Sequence, residues 1–408
     1  MDYGAFDRER FIDETHSSNR GDFQRDRGRI IHSGGFRRLA QKTQVLSPTS
    51  GMDFARNRLT HSLEVAQVGR EVAQRLGVDP DVVDAACLAH DLGHPPFGHN
   101  GESAIAQWAS HIGGFEGNAQ TFRVLTRLEP KVFSGAGQPA GLNLSRASLD
   151  AASKYPWGRE NAVVEEGGRE KFGVYDDDLE VFQWLRAGLP EREVSLEAQV
   201  MDLADDIAYS VHDFEDAIVG GFIDPATLTD SGPGTGPRAV NWEGEHLESA
   251  ALEDAFSRLH QMPTWPSAFG ASRADFARLK NFTSSAIGRF AQAVTVVDRG
   301  VGTDVPGRYQ FRLHVPAETQ AEIAVLKSVV ATAVMRHETR RPIYQHQRDL
   351  LVALLDVLVR TGPEHLDPMY QADFHAAPSE QARVRVVVDQ VASLTDQSAL
   401  AWHERLTG

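Results

Sequence analysis

Cysteine and long apolar runs are the two features that this sequence has least of. Its 408 residues include one cysteine, Cys87, which excludes an intrachain disulfide and a four-cysteine zinc site. No apolar run approaches the ~20 residues that would span a bilayer. Residues 1–22 are polar and acidic, unlike a secretory signal. These absences predict a cytoplasmic protein with no membrane partner.

Positive charge is also scarce. The formal net charge is −16, which argues against a broad nucleic-acid surface. Residues 20–42 depart from this balance, with seven Lys/Arg against two Asp. That segment is either a solvated basic arm or a local surface that binds nucleic acid. A small polyanionic substrate is compatible with the net charge, because a metal ion and a few cations can reverse the potential inside a cleft.

The spacing of apolar residues predicts a mostly helical chain. Apolar residues recur at helical spacing over residues 58–77, and Gly77 ends the pattern. Residues 79–93 are apolar nearly all round, which predicts a central buried helix. A third long helix is predicted over residues 195–221, and helices return after residue 317.

Loops and strands are predicted in few places. Turn-forming compositions occur at residues 134–143 and 230–244. The strand signal is weak and confined to short pieces such as RYQFRLHVP, residues 308–316. We therefore predict an all-α fold with a histidine-lined helical core, a C-terminal helical extension and at most a short β-hairpin.

The segment LAHDLGHPPFGHNGE, residues 88–102, concentrates titratable side chains at the end of the predicted buried helix. Asp91 follows His90 there, and a buried aspartate is rare unless it is paired or binds a metal. A His–Asp hydrogen bond that seals the helix end would explain this dipeptide alone. His61 on the preceding helix and Asp205 on the apolar face of the third helix favour a metal site instead. Such a mixed N/O site suits a divalent ion such as Mg, Mn, Fe, Ni or Zn.

The pattern H…HD…D resembles the metal-binding signature of the HD-domain phosphohydrolases. More specific blocks lie between residue 25 and about residue 400, among them RDRGRIIHSGGFRRLAQKTQV, RNRLTHSLEVAQVGR, AHDLGHPPFGHNGE, GGFEGNAQTFRVL, SKYPW, KFGVY and DLADDIAYSVHD. These blocks resemble the bacterial deoxyguanosine triphosphate triphosphohydrolase-like (dGTPase-like) family over nearly the whole chain. The resemblance implies hydrolysis of dGTP or another dNTP to a deoxynucleoside and inorganic triphosphate, with a divalent metal ion.

We predict three parts in the chain. Residues 1–57 form a basic arm and a substrate-contact segment. Residues 58–220 form the HD-domain metal core, with a loop insertion near 129–195. Residues 221–408 form a helical extension packed on the core.

The resemblance also implies roles for individual residues. The expected metal ligands are His61, His90, Asp91 and Asp205. The expected proton-transfer pair is His99 and Glu102, with His94 as a helper or phosphate ligand. The expected substrate contacts are Arg58 and Lys154 at the phosphates, Tyr209 at the 2′ side of the sugar, and Gln44 and Asp213 at the 3′ hydroxyl. One loop departs from the family pattern, because Gly117 stands in FEGN where many relatives read FEHN, and no histidine contribution is expected from it.

Several alternatives remain open at this stage. Another HD-domain phosphohydrolase, such as a nucleoside monophosphatase or a cyclic-nucleotide phosphodiesterase, would share the metal ligands. A nucleic-acid-binding regulator would use the basic segment 20–42, and a metal-free scaffold would use neither. The resemblance further implies a homo-oligomer, a tetramer or hexamer, and a nucleotide or single-stranded DNA effector.

Overall fold

The computed structural model describes residues 1–15, 19–44, 56–165, 168–228, 247–302, 305–335 and 341–408. These residues are mainly helical, which confirms the predicted fold class. Their α-helices are α1 Ala5–Arg8, α2 Asp22–Ile31, α3 Gly34–Arg38, α4 Arg58–Leu76, α5 Pro80–Ala89, α6 Gly98–Trp108, α7 Gly117–Arg123, α8 Arg146–Ala151, α9 Leu179–Arg186, α10 Leu196–Val219, α11 Ser249–His260, α12 Arg273–Ala293, α13 Gly307–Gln310, α14 Ala317–Met335, α15 Arg341–Thr361, α16 Pro368–Ala376, α17 Glu380–Ser393 and α18 Asp396–Thr407.

Strands are short in the described part of the chain. Strands β1 Val163–Val164 and β2 Glu170–Lys171 form one antiparallel pair. Strands β3 Thr295–Asp298 and β4 Phe311–His314 form a second, in which Val296 lies opposite Leu313. The second pair confirms the strand signal around residues 308–316. Residues 134–143 form a turn-rich loop as predicted, whereas the predicted loop 230–244 lies outside the described residues.

Local sequence signals fix the ends of the long helices. The Asn57 side chain accepts a hydrogen bond from the Thr60 amide at the start of α4, and Gly77 ends that helix with a positive φ of 72°. Asp79 caps α5 with Pro80 at its first position, as predicted. Ser195 caps α10 through the Ala198 amide.

The core forms around α5 and α10. Every residue of α5 from Val82 to Ala89 is buried, which confirms that this helix is central. It packs against α2, α4, α8 and α10. The approach of α4 to α5 is close at Gly69, where an added Cβ would lie 2.6 Å from the Cys87 sulfur. Helix α10 also packs against α12 and α14.

The C-terminal helices support the loop that follows α5. Helix α15 packs against α6, α17 and α18. The Asp396 carboxylate accepts hydrogen bonds from the main-chain amides of Thr43 and Phe97, at 3.1 and 2.8 Å. Lys42 Nζ donates to the carbonyl oxygens of His94 and Ala392, at 2.5 and 2.9 Å. Segments that are distant in sequence are thus fixed to one another around the candidate site.

Among the described residues, no helix has the length and apolar character needed to cross a membrane.

Candidate active site

Three helices bring together three of the four predicted metal ligands. His61 lies in the first turn of α4, His90 lies directly after α5, and Asp205 lies in the middle of α10. Their ligand atoms all lie within 4.8 Å of one another. His61 Nε2 is 2.9 Å from Asp205 Oδ1, and His90 Nε2 is 3.6 Å from the same oxygen. This arrangement could hold a metal ion.

The orientation of His90 fits the role of a ligand. Its Nδ1 lies 2.6 Å from the Cys87 carbonyl oxygen, so Nδ1 carries the proton and donates it there. In a neutral imidazole of this orientation, Nε2 is the nitrogen with the free lone pair. His90 Nε2 is buried and has no hydrogen-bond partner in the structure, although a buried polar atom normally has one. A divalent cation would satisfy this nitrogen.

Asp205 is ionised in this setting. Burial alone would raise the pKa of its carboxyl group, but the neighbouring His90 and the hydrogen bond from His61 lower that pKa below its usual value. A carboxylate beside two imidazoles is a donor set for a borderline or hard divalent ion.

Asp91, the fourth predicted ligand, is not a member of the three-residue cluster. Its Oδ1 lies 3.5 Å from His90 Nε2 and 3.0 Å from His94 Nδ1, and its Oδ2 accepts a hydrogen bond from Arg58 Nη1 at 2.7 Å. Burial would raise the pKa of Asp91, but the Arg58 guanidinium holds it well below the usual value. Asp91 therefore joins the His90 side of the site to a buried arginine.

Arg58 lies beside the predicted ligands, as its position three residues before His61 suggested. Its side chain is 2% exposed, and its Nε has no hydrogen-bond partner among the described residues. An added Cβ at Gly98 would lie 2.9 Å from Arg58 Nη2, so the guanidinium reaches the start of α6. A cation thus stands between the cluster and the helix that carries the predicted proton-transfer pair.

The predicted proton-transfer pair is formed within the first turn of α6. His99 Nδ1 lies 2.9 Å from Glu102 Oε2, and Glu102 Oε1 accepts a hydrogen bond from the Gly117 amide at 3.0 Å. The His99 side chain is 57% exposed, while that of Glu102 is 7% exposed. Burial would raise the pKa of Glu102, but the hydrogen bond and charge of His99 lower it well below its usual value. Glu102 is an ionised carboxylate that orients His99.

His94 connects the two groups of residues. Besides its contact with Asp91, its ring lies 5.1 Å from the His99 ring, edge to face. Burial, together with the charge of Arg58, lowers the pKa of His94 to about 4. His94 is therefore neutral near pH 7. Its ligand atom, with those of His99 and Glu102, forms a second cluster within 4.8 Å.

The predicted sugar contacts leave polar atoms without partners. Asp213 Oδ2 and Gln44 Oε1 are buried and have no hydrogen-bond partner among the residues that the structure describes. Burial and the nearby Asp216 raise the pKa of Asp213 well above its usual value, so it can carry a proton and donate it. Tyr209 lies one helical turn before Asp213 on α10, and Lys327 Nζ stands 5.8 Å from its ring centroid.

Lys154, a predicted phosphate contact, forms an ion pair with Asp202 on α10. Burial would lower the pKa of Lys154, but Asp202 raises it well above the usual value, so the group stays cationic. Its charge also contributes to the lowered pKa of Asp205. Lys154 is thus near the cluster, with a carboxylate already as partner.

Comparison with known proteins agrees with this geometry. The HD domain family matches residues 58–210, and the phosphohydrolase-associated domain family matches residues 313–405. Proteins named deoxyguanosinetriphosphate triphosphohydrolase-like are similar over most of their length. The one from Bifidobacterium longum is 48% identical, over 99% of this chain and 87% of its own. Those from Streptomyces coelicolor and Corynebacterium glutamicum are 51% and 44% identical, over 95% and 92% of this chain and 92% and 89% of their own.

The chain belongs to the deoxyguanosinetriphosphate triphosphohydrolase-like family of HD-domain hydrolases. The resemblance found in the sequence is confirmed.

Sequence patterns assign no role to two buried residues that support the predicted pair on α6. Glu116 accepts hydrogen bonds from the amides at the start of α7, and Lys171 Nζ lies 3.0 Å from its carboxylate. Lys171 also contributes to the lowered pKa of Glu102. Both residues stand in the family-like blocks GGFEGNAQTFRVL and KFGVY. Those blocks were a signal for their importance, but pairing across 55 residues could not be deduced from them.

Gly117 proves to be a contact of the site rather than a neutral departure from the family pattern. An added Cβ there would lie 3.2 Å from Glu102 Oε1 and 3.5 Å from His94 Cε1. The main-chain amide of this residue, not a side chain, therefore meets the proton-transfer pair. A histidine at this position would contact both residues.

Proposed function

We propose that this protein hydrolyses dGTP, with other deoxynucleoside triphosphates as further substrates, to a deoxynucleoside and inorganic triphosphate. The attack would occur at the α-phosphorus. The observation that carries the proposal is the cluster of His61, His90 and Asp205, linked through His94 to the pair of exposed His99 and buried Glu102. The names of the relatives supply the substrate class.

His61, His90 and Asp205, with Asp91 as the fourth predicted ligand, would hold a divalent ion. When bound, such an ion would neutralise phosphate charge and activate water. Arg58, which lies next to this cluster, would bind a phosphate oxygen through the guanidinium nitrogens not used by Asp91. Lys154 would add a second cation.

His99 would transfer the proton. Its Nδ1 is held by Glu102, which leaves Nε2 to meet the substrate. In the neutral form Nε2 can take a proton from water, and in the charged form it can give one to the 5′ oxygen. The exposure of His99 supports this role, because a proton donor or acceptor must reach the substrate.

Tyr209, Asp213 and Gln44 would recognise the sugar. A protonated Asp213 and the Gln44 amide would hydrogen-bond the 3′ hydroxyl, and their unpartnered atoms are consistent with this. The Tyr209 ring would occupy the space of a 2′ hydroxyl. Equal hydrolysis of GTP and dGTP would contradict this assignment, and Tyr209→Ala should admit ribonucleotides or weaken dGTP binding.

The decisive experiment is incubation with each of the four dNTPs and Mn²⁺ or Mg²⁺, with the products separated by ion-exchange chromatography. A deoxynucleoside and intact triphosphate in equal amounts would support the proposal. Release of orthophosphate alone would instead point to another HD-domain phosphohydrolase. The same assay on nucleoside monophosphates and cyclic nucleotides tests that alternative directly.

Assembly and regulation remain predictions. We propose a tetramer or hexamer, which light scattering coupled to size-exclusion chromatography would test. A nucleotide or single-stranded DNA effector would raise the rate with one dNTP when added with it. A steep loss of DNA binding with salt would support a role for the basic segment 20–42.

A further inference from the structure

A cavity of about 270 Å³ lies at the start of α17, apart from the predicted metal, catalytic and substrate residues. Its wall includes Ile112, Phe172, Tyr175, Ser379, Gln381 and Arg385. Sites for drug-sized ligands usually measure ~300–1,000 Å³. The cavity is therefore suited to a small molecule or a single functional group.

Arg385 supplies a buried positive charge with unused hydrogen-bonding capacity. The residue is 3% exposed. Its Nη2 donates to the Ile112 carbonyl oxygen at 2.8 Å, and its guanidinium stacks 4.1 Å from the Tyr175 ring centroid. Its Nη1 is buried and has no hydrogen-bond partner in the described part of the chain. A buried donor of a charged group is seldom left unpaired, so this nitrogen has room for a further hydrogen-bond acceptor.

The amino-terminal end of α17 faces the same cavity. This helix has 14 residues, and Ser379 caps it by accepting a hydrogen bond from the Ala382 amide. The amides of the first turn have no partners within the helix, and the helix dipole places partial positive charge there. Ser379, Gln381 and Ala382 line the cavity. Helix N-termini of this kind bind phosphate and carboxylate groups.

The other charged groups around the cavity are of both signs. Arg159 lines it but is paired with Glu170 at 2.7 Å. Asp176 and Asp177 are exposed lining residues, and Asp177 lies 4.0 Å from Arg123 Nη1. His111 adds a titratable group. Arg385 is thus the buried cation of this wall, and its charge also acts on the buried Asp389 carboxylate one helical turn along α17.

We propose that this cavity binds a small oxyanion, a phosphate or carboxylate group, between Arg385 Nη1 and the first turn of α17. This site is separate from the proposed hydrolytic site and does not depend on that function. The cavity wall at Tyr175 is nevertheless connected to the proposed hydrolytic site. The Tyr175 hydroxyl donates to the Glu116 carbonyl oxygen at 3.2 Å, and the adjacent Gly117 amide holds Glu102.

The test is titration of the full-length protein with inorganic phosphate by isothermal calorimetry at constant ionic strength. Phosphate can also bind at the candidate active site, so the measurement compares the number of phosphate sites per chain between the wild-type protein and the variants. Arg385→Gln should lose one site per chain. Arg383→Gln is the matched control, because Arg383 lies on the same helix with a 45% exposed side chain, and it should retain every site. A parallel titration with acetate distinguishes a phosphate site from a carboxylate site.

A second variant guards against a folding defect in Arg385→Gln. Gln381→Glu adds a negative charge in the first turn of α17, where it favours the helix but repels an anion. It should weaken phosphate binding at this site at least ten-fold without lowering the midpoint of thermal unfolding. If neither phosphate nor acetate binds, or if Arg385→Gln and Gln381→Glu both keep the wild-type number of sites and affinity, the proposal is wrong.

Discussion

The two titratable clusters of the candidate site are built in different ways. His61, His90 and Asp205 come from three packed helices, and His61 is 1% exposed. His99 and Glu102 come from a single turn of α6, with His99 open to solvent. The first cluster is positioned by the packing of the core. The second is positioned by the hydrogen bonds that the Glu102 carboxylate forms with His99 and with the Gly117 amide.

This difference fits the role that we propose for each cluster. Ligands for an ion must be fixed in advance, and burial on rigid helices provides that. A proton-transfer group must instead meet the substrate, so it needs exposure together with a buried partner that sets its orientation. Glu102 is that partner, and the Gly117 amide fixes it in turn. Changes at the first cluster should therefore be severe, and changes at the second should be graded.

The largest effect is expected for Asp205→Ala. The variant removes the only carboxylate of the three-residue cluster, so both bound metal and turnover should be lost. Elemental analysis of purified protein and a turnover assay measure the two. Asp206→Asn is the matched control on the same helix, because Asp206 pairs with Lys327 at 2.7 Å, and it should keep its metal. Full metal content in Asp205→Ala would contradict the ligand assignment.

His99→Ala should strongly lower turnover and leave metal binding unchanged. It removes the proposed proton-transfer group but no predicted ligand, so kcat should fall by roughly 10²–10⁴. Metal content and substrate affinity should change little, because Arg58 and the metal ligands remain. Steady-state kinetics and elemental analysis give these quantities. Loss of metal in His99→Ala would make His99 a ligand and overturn its assigned role.

Glu102→Ala should resemble His99→Ala but be milder, since Glu102 acts by orienting the imidazole. The double variant tests this directly. Because both residues act through one proton, the combined loss in kcat should be far smaller than the product of the single losses. Multiplicative losses would show that Glu102 has a separate function.

Much of this architecture could be predicted from local sequence. The caps at Asp79 and Ser195 and the apolar character of α5 gave the helices, because helix ends and burial depend on nearby residues. The cluster of His61, His90 and Asp205 could also be expected, since His90 ends an apolar helix, Asp205 interrupts an apolar helix face and His61 supplies a second imidazole from the preceding helix. The division of the chain at residues 57 and 220 remains a prediction.

Long-range support for the site could not be predicted in this way. Lys42 reaches Ala392, and Asp396 holds Phe97, across about 300 residues or more of sequence. Lys154 was expected at a phosphate, but the structure pairs it with Asp202. Such pairings depend on how helices pack, and neither spacing nor charge along the chain specifies that.

Gly117→Ala should have an intermediate effect. Its Cβ would lie 3.2 Å from Glu102 Oε1, so the carboxylate must shift by a few tenths of an ångström. Since a 1 Å misplacement can cost ~10²-fold, kcat should fall roughly ten-fold. Gly135→Ala is the control, because no atom lies within 4 Å of an added Cβ there. Unchanged kcat in Gly117→Ala would show that Glu102 tolerates displacement.

The smallest effect is expected for Tyr175→Phe, because Tyr175 acts on the predicted pair His99–Glu102 only indirectly, through the main chain of Glu116 and Gly117. The hydroxyl accepts a hydrogen bond from the Glu116 amide and donates one to its carbonyl oxygen, both at 3.2 Å. Loss of the hydroxyl removes about 1 kcal/mol of hydrogen-bond stabilisation next to Gly117. We therefore expect kcat to fall no more than about five-fold, with KM unchanged.

Tyr370→Phe separates this effect from general loss of stability. Tyr370 is also buried, and its hydroxyl lies 2.6 Å from Ser393 Oγ, away from the catalytic pair. Both variants should lower the midpoint of thermal unfolding by a similar amount, because each loses one tyrosine hydroxyl. Only Tyr175→Phe should lower kcat. If the two variants change kcat equally, the hydrogen bonds of Tyr175 to the Glu116 main chain do not affect the position of Glu102.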